Sequence, residues 1–270
     1  MNQPKVSVLI SFYNLAPYVD KTMETVLAQK TNFPVEVLCA DDGSDDGTIE
    51  KLRVWEEKYP DAVRVFVMDR IPGAKYEANE RIKRMNAIRG RLFYEAKGEY
   101  VSYLDGDDFY TDDHKLQKQV DVLDADVEHK YIGCGHNGCY YWESTGKTVP
   151  IERPIRECSL TAEEYWSFLY IHTNALLLRN IGLQGIDPYK SGIPIIDNPL
   201  TFQIFALRRH LLSARLHVQL PPDRGQHLPP PQPLPERHPH GADFVRATLH
   251  HPQIRRGGAG ALSARVRRPV

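Results

Sequence analysis

Along the first hundred residues, short apolar runs alternate with longer stretches whose apolar positions return every three or four residues. Val6-Ser7-Val8-Leu9-Ile10-Ser11-Phe12-Tyr13 is apolar and β-branched, the pattern of a strand buried in a parallel sheet. Asn14 ends it. Pro17 stands where a helix start tolerates proline, and Val19, Met23, Val26 and Leu27 share one helical face through Gln29. Residues 35–40 predict a second buried strand, and 63–68 a third. Between them, 48–58 read as a helix with Ile49, Leu52, Val54 and Trp55 as its apolar positions, capped by Asp45 or Asp46. Residues 77–96 carry a long helical pattern, loosened at Gly90, and 100–104 predict a fourth strand. Strict alternation of strand and helix predicts an α/β fold with a mainly parallel sheet flanked by helices.

The pattern is thinner further on. Residues 115–125 read as a helix, 131–141 as an extended stretch broken by Gly133, Gly135 and Gly138, 163–170 as a short aromatic helix, and 174–179 as extended. Residues 193–205 bring Asp197 just before a helix-like run. From about residue 206 the character changes. Residues 206–270 hold 10 Pro, 11 Arg and 7 His, with no Tyr and no Lys, and show no apolar periodicity able to support a core. Their balance is +8, against −9 for residues 1–205. This places a folded unit at 1–205 and an irregular tail at 206–270. A basic tail for an anionic membrane surface is one reading. Out-of-frame translation is the other, and the abrupt change inside a helical pattern favours it.

Composition narrows the setting. The four cysteines, Cys39, Cys134, Cys139 and Cys158, lack metal or disulfide spacing, so free thiols and a reducing compartment are expected. The polar start runs straight into a strand, so no signal peptide is expected. No apolar run approaches the ~20 residues of a membrane span.

The most distinctive chemistry stands where the fourth strand stops, at Asp105-Gly106-Asp107-Asp108. In open α/β sheets, ligands bind beyond the carboxyl ends of strands. On an ideal strand Asp105 and Asp107 point to one side. Two carboxylates facing one way suit Mg²⁺ or Mn²⁺ held together with substrate phosphates. Ser11 and Tyr13 close the first strand, and Asp41 and Asp42 close the second. A hydroxyl, an aromatic ring and an acid on one edge suit a pyrimidine nucleoside. Arg89, on the long helix, is placed to reach the diphosphate. Neither a Walker loop nor a G-x-G-x-x-G is present.

Three segments, Val6 to Asn14, Ala40 to Thr48 and Gly98 to Asp108, in this order and at these separations, resemble the family-2 glycosyltransferases with a GT-A fold. The resemblance covers roughly residues 4–205, split into a nucleotide-sugar half at 1–115 and an acceptor half at 116–205. It implies that Ser11, Tyr13, Asn14, Asp41, Asp42, Arg89 and Asp105 bind the nucleotide sugar. It implies Asp105 and Asp107 as ligands of Mn²⁺ or Mg²⁺. Gly90 stands where the family often has asparagine after the arginine. Asp197 is the implied general base, although Ile196 replaces the glutamate of the family's Glu-Asp pair. His172 falls where the family lines its acceptor pocket, and structural roles remain open for it, for Trp142 and for Trp166. The implied donor is a UDP-sugar, and the implied acceptor is a glycan or lipid-linked glycan of a bacterial surface polysaccharide. No nucleic-acid partner is expected. The implied location is the cytoplasm, with peripheral contact at the inner membrane. Two other functions fit the same carboxylates: a nucleotide-sugar-binding module truncated by a frameshift, and a nucleotidyltransferase.

Overall fold

A computed structural model describes residues 3–70, 76–150, 158–161, 171–180 and 215–219. Its first half follows the predicted alternation. β1 (Val6–Phe12), α1 (Val19–Leu27), β2 (Val35–Asp41), α2 (Thr48–Lys58), β3 (Val63–Val67), α3 (Ala78–Glu95), β4 (Tyr100–Asp105) and α4 (Lys115–Ala125) succeed one another. The second half adds β5 (Tyr131–His136), β6 (Cys139–Trp142), β7 (Lys147–Pro150), β8 (Cys158–Thr161), a 3₁₀ turn (Thr173–Ala175), β9 (Leu177–Arg179) and β10 (Arg215–Gln219).

Eight strands form one sheet in the order β3-β2-β1-β4-β9-β5-β10-β8, and β6 and β7 form a separate hairpin. The pairs β1–β2, β1–β4, β2–β3 and β5–β10 are parallel. β9 is antiparallel to both β4 and β5, and β8 is antiparallel to β10. β1 lies between β2 and β4 and is apolar on both faces, as a central strand must be. One face (Leu9, Leu38, Ala40, Val101, Tyr103) packs on Ile88, Leu92 and Phe93 of α3. The other (Val8, Ile10, Phe12, Val37, Cys39, Leu104) packs on Val19 and Met23 of α1, Leu52 of α2 and Leu116 and Val120 of α4. Each such fully buried Val, Leu or Ile contributes roughly 1.5–3 kcal/mol.

Some expectations are corrected. α3 is unbroken at Gly90, which lies buried in it. α2 is preceded by Gly47 at φ 97°. Asp46, just before that glycine, accepts from the amide of Thr48, the first helical residue, at 3.0 Å, in keeping with the expected acidic cap. β10 lies inside the stretch expected to be irregular, and five alternating residues, Arg215 to Gln219, were enough to pair with β5 and β8. The aromatic helix at 163–170, the run at 193–205 with Asp197, and the rest of the tail lie outside the described residues.

β9 is held in place by one buried arginine. Arg179 donates to the carbonyls of Leu123 at 2.7 Å and Tyr131 at 2.9 Å and to the Tyr100 hydroxyl at 3.3 Å, so α4, β4 and β5 share one guanidinium. Lys115, at the start of α4, is also buried but has no carboxylate partner among the described residues. Its ammonium donates to Ser102 Oγ at 3.1 Å and lies 4.3 Å from the centre of the Tyr110 ring. Burial pulls its pKa down to about 7. The folded value therefore lies well below that of the unfolded chain. Between the two, the unfolded chain binds more protons, so folded stability rises with pH. The stability of the wild type relative to Lys115→Met should accordingly increase from pH 7 to 9.5, by up to about 1.4 kcal/mol per pH unit. Urea unfolding of both proteins across that range measures it, and a flat difference would contradict the burial effect.

Candidate active site

The register brings the three strand ends to one edge. Ser11 lies opposite both Ala40 of β2 and Asp105 of β4, and Phe12 lies opposite Asp41. Strand alternation then puts Leu9 and Ser11, with Tyr103 and Asp105, on the face that α3 covers.

The Tyr103 hydroxyl is the hub on that face. It donates to Asp105 Oδ1 at 3.1 Å and accepts from Arg89 Nε at 2.8 Å. With its proton given to Asp105, it accepts from Ser11 Oγ at 2.5 Å. Arg89 Nη2 reaches the same Asp105 oxygen at 3.4 Å. Burial first, and then the Asp105 charge, raise the Tyr103 pKa, so the hydroxyl keeps its proton. Both of these contacts fall on Oδ1, which leaves Asp105 Oδ2 without a protein partner among the described residues.

Next to this hub stands a cationic rim. Asp42 is gripped by Arg70 Nη1 at 2.8 Å and Arg84 Nε at 2.7 Å. The Arg70 guanidinium lies 3.9 Å from the centre of the Tyr13 ring, which is 45% exposed and so not a core aromatic. Tyr76 backs both guanidinium groups, at 4.7 and 5.0 Å. Gly43 is required here: its φ is +71°, and a Cβ would stand 2.5 Å from Arg70 Cβ.

Asp41 and Asn14 shape the rim. Asp41 is fully buried, and its two oxygens accept from the Ser44 amide at 2.7 Å and the Ser44 hydroxyl at 2.6 Å. Burial raises its pKa. Asp41, expected to contact the donor, here shapes the turn after β2 through Ser44. Asn14, at φ 52°, accepts from the Asp45 amide at 3.1 Å and ties the loop after β1 to the loop after β2. Leu15 N to Thr48 Oγ1 and Ala16 N to Asp46, at 2.8 and 3.0 Å, complete that tie.

Beyond β4 the chain turns at once. Asp108 N donates to Asp105 O at 3.0 Å, and Gly106 N donates to Ser11 O at 2.9 Å. Thr22, buried on α1, donates from one hydroxyl to the carbonyls of Gly106 at 3.0 Å and Asp108 at 2.8 Å. The side chain of Asp107 therefore lines a cleft with Tyr18, Lys21, Thr22, Phe109 and Glu143 on the α1 side, while Asp105 meets Arg89 on the α3 side. Alternation along an ideal strand predicts a shared side; it fails because β4 ends at Asp105. The two acids flank the crest of the turn instead.

Other candidates have structural tasks. His172 Nδ1 accepts from the Asn174 amide at 3.3 Å and starts the 3₁₀ turn. The Asn174 side-chain amide donates to the Asp108 carboxylate. Trp142 is half-buried at the end of β6. Tyr103, Arg70, Arg84 and Thr22 were missed by sequence reasoning. Only Tyr103 carried a signal, two residues before Asp105 on the same strand face. Among the described residues, the one group of three adjacent ligands is Asp112, Asp113 and His114, where Lys118 and Lys30 already pair the two acids.

Residues 7–181 match the sequence model of the family described as Glycosyl transferase family 2. The chain belongs to that family. Similar proteins include an uncharacterized glycosyltransferase of Nostoc sp., 34% identical over 44% of this chain and 33% of its own length. The putative teichuronic acid biosynthesis glycosyltransferase TuaG of Bacillus subtilis is 32% identical over 45% of this chain and 42% of its own. An uncharacterized protein of Mycobacterium tuberculosis is 25% identical over 87% of this chain and 60% of its own. The GT-A fold is shared with S. aureus TarS 1–349 in complex with UDP: TM-score 0.54, 20% identity, 80% of this chain and 57% of that one. This chain thus spans about 60% of the length of the mycobacterial relative.

The family-2 acidic turn has no room for a side chain at Gly106. A Cβ there would lie 2.3 Å from the Phe12 ring and 2.8 Å from Ser11 O. Gly106→Ala should destabilise the fold by about 1–3 kcal/mol through overpacking. A shift in the urea midpoint at unchanged slope would show it, and wild-type stability would mean that the turn yields freely.

Proposed function

We propose that this chain is a metal-dependent, inverting glycosyltransferase that moves a sugar from a nucleotide-diphosphate donor to an acceptor hydroxyl. One observation carries the reading. The Ser11–Tyr103–Arg89–Asp105 network and the Asp42–Arg70–Arg84 group lie on one sheet edge, beside Tyr13. A ring to stack on, acids for base or ribose N–H and O–H groups, and arginines for phosphate are what a nucleoside diphosphate needs. TarS is described in complex with UDP-GlcNAc (TM-score 0.51, 19% identity), which supports a UDP-sugar here. The name of TuaG, a putative teichuronic acid biosynthesis glycosyltransferase, supports polysaccharide synthesis here; a glycan or lipid-linked glycan acceptor at the cytoplasmic face of the membrane belongs to the same proposal. No helix among the described residues is long and apolar enough to cross a membrane.

The donor atoms at the crest fit Mn²⁺ or Mg²⁺. Asp105 Oδ2 is left over from the Tyr103 network, and Asp107 adds a second hard oxygen ligand. When bound, the ion neutralises charge gathering on the departing diphosphate. The chain's own residues do the rest. Tyr13 stacks on the base in the place Arg70 now covers. Asp42, steered by Arg70 and Arg84, accepts from the nucleoside. Arg89 holds Asp105 in register. Asp197 takes the proton of the acceptor hydroxyl as that oxygen attacks the anomeric carbon opposite the leaving group, and a single displacement inverts the centre.

Purified protein with UDP and MnCl₂ should unfold later than with either alone. At a hundredfold excess over Kd the gain is about 2.7 kcal/mol. Asp107→Asn should lose that joint stabilisation. Equal stabilisation of wild type and variant would remove Asp107 from the metal. Asp197→Asn should keep UDP binding while transfer falls by about 10²–10⁴-fold. Loss of UDP affinity together with turnover would make Asp197 structural, and release of pyrophosphate instead of sugar would make the chain a nucleotidyltransferase.

A further inference from the structure

One stripe of α1 is polar and is spent on the chain that follows β4. Val19, Met23 and Val26 turn into the core. Thr22, Thr25 and, just past the helix end, Gln29 stand at i, i+3 and i+7 and form a second stripe beside it. Thr22 is 1% exposed, and its hydroxyl shares one proton between the carbonyls of Gly106 at 3.0 Å and Asp108 at 2.8 Å. Thr25 Oγ1 accepts from the Tyr110 amide at 3.1 Å and donates to the Thr22 carbonyl at 3.1 Å. The Gln29 side chain donates to the Asp112 carbonyl at 2.7 Å and accepts from the Leu116 amide at 3.0 Å. The Lys30 amide donates to the Asp113 carbonyl at 2.7 Å. From the acidic turn to the start of α4, the backbone is thus held by one helix.

The Thr22 bonds matter most for the acids. Peptide groups are planar, so the direction of Asp107 is set by the plane that joins it to Gly106 and the plane that joins it to Asp108. The Gly106 carbonyl, on Thr22, orients the first plane. The Asp108 amide, which donates to Asp105 O at 3.0 Å, orients the second. One bond ties Asp107 to β4 and the other ties it to α1. Without the hydroxyl, the buried Gly106 carbonyl would lose its partner and the first plane would turn to find another. We infer that Thr22 is a positioning residue: its hydroxyl holds Asp107 in the orientation from which that carboxylate and Asp105 share one divalent cation. The inference rests on the metal-dependent glycosyltransferase reading and adds to it a residue, remote in sequence, that sets the affinity for the ion. Groups that orient metal ligands from one bond further out commonly change affinity by about 10–100-fold when removed. A valine at 22 would fill the same space and serve neither carbonyl, whereas a serine would keep the hydroxyl.

Titration of the full chain with MnCl₂ at saturating UDP, followed by electron paramagnetic resonance of the free ion, tests this. Thr22→Val should bind Mn²⁺ about 10–100-fold more weakly than wild type, with its UDP affinity in the absence of metal unchanged. Thr22→Ser should restore Mn²⁺ binding. Leu52→Ala, a core change on α2, should lower the urea midpoint and leave Mn²⁺ affinity intact, which separates positioning from general loosening. Should Thr22→Val fail to fold, Thr25→Val, which frees the Tyr110 amide from the same helix, carries the test with a loss of Mn²⁺ affinity in the same direction. Wild-type Mn²⁺ affinity in the folded valine variant would overturn the inference. So would Thr22→Ser binding as weakly as Thr22→Val, or Leu52→Ala weakening the ion as much. Failure of wild type itself to bind Mn²⁺ with UDP would instead bring down the metal-dependent reading on which this one rests.

Discussion

The parallel register of β1 with its two neighbours is the constraint from which the rest of the site follows. Ser11 is level with Ala40 and Asp105, so the segments leaving β1, β2 and β4 emerge side by side. The register is secured from both faces, because β1 is buried on each. A slip by one residue would exchange the α3-facing and α1-facing sets and put Ser11 and Asp105 among Val19 and Met23. Core packing and site geometry are therefore one requirement. The same alternation that fills the two cores decides which strand-end groups meet the arginines of α3.

Burial then turns those groups into a rigid array. Tyr103 sits in the core with its hydroxyl at the edge, where it joins a serine, an arginine and an acid. Each of these has lost solvent and gained a directed partner, so leaving one unpaired would cost about 1–3 kcal/mol. Arg89 is 6% exposed, a position an arginine rarely holds without a charge partner, and Asp105 is that partner. The Asp42–Arg70–Arg84 group is less buried and draws on a loop and a helix. It holds one acid between two cations and so carries a net positive charge.

Much of this was legible in sequence, and the gaps have physical causes. β1, β2, β3, β4 and the helices between them announced themselves because each has a single period and a single kind of surface to bury. The carboxyl-end residues Ser11, Asp42 and Asp105 came with them, since a strand's end is visible where its apolar run stops. Side-chain direction past that point was not visible. Asp107 lies beyond β4, where Gly106 and the Thr22 hydroxyl set the path, and Thr22 is eighty-four residues from the carbonyl it holds. Arg70 and Arg84 were hidden for a similar reason, since no local spacing marks a cation that reaches Asp42 from another element. β9 could be read as extended, but nothing nearby shows that it enters antiparallel between β4 and β5. The bond from Asp41 to Ser44 was not visible either, because a turn acid and a ligand acid look alike in sequence.

The brace at the acidic turn explains why the crest can divide two chemistries. Gly106 is pressed against Phe12, and its amide and carbonyl are bonded to Ser11 and Thr22. Asp108 is held at its amide, its carbonyl and its carboxylate. With both flanking residues fixed, the backbone around Asp107 has little freedom, which keeps its carboxylate on the α1 side. Asp105 is confined to the other side by Tyr103 and Arg89. A cation drawn to both acids would have to sit over the crest, between the cationic rim and the aromatic cleft. The hydrogen bonds that fix the turn therefore also fix the sides on which the two acids stand.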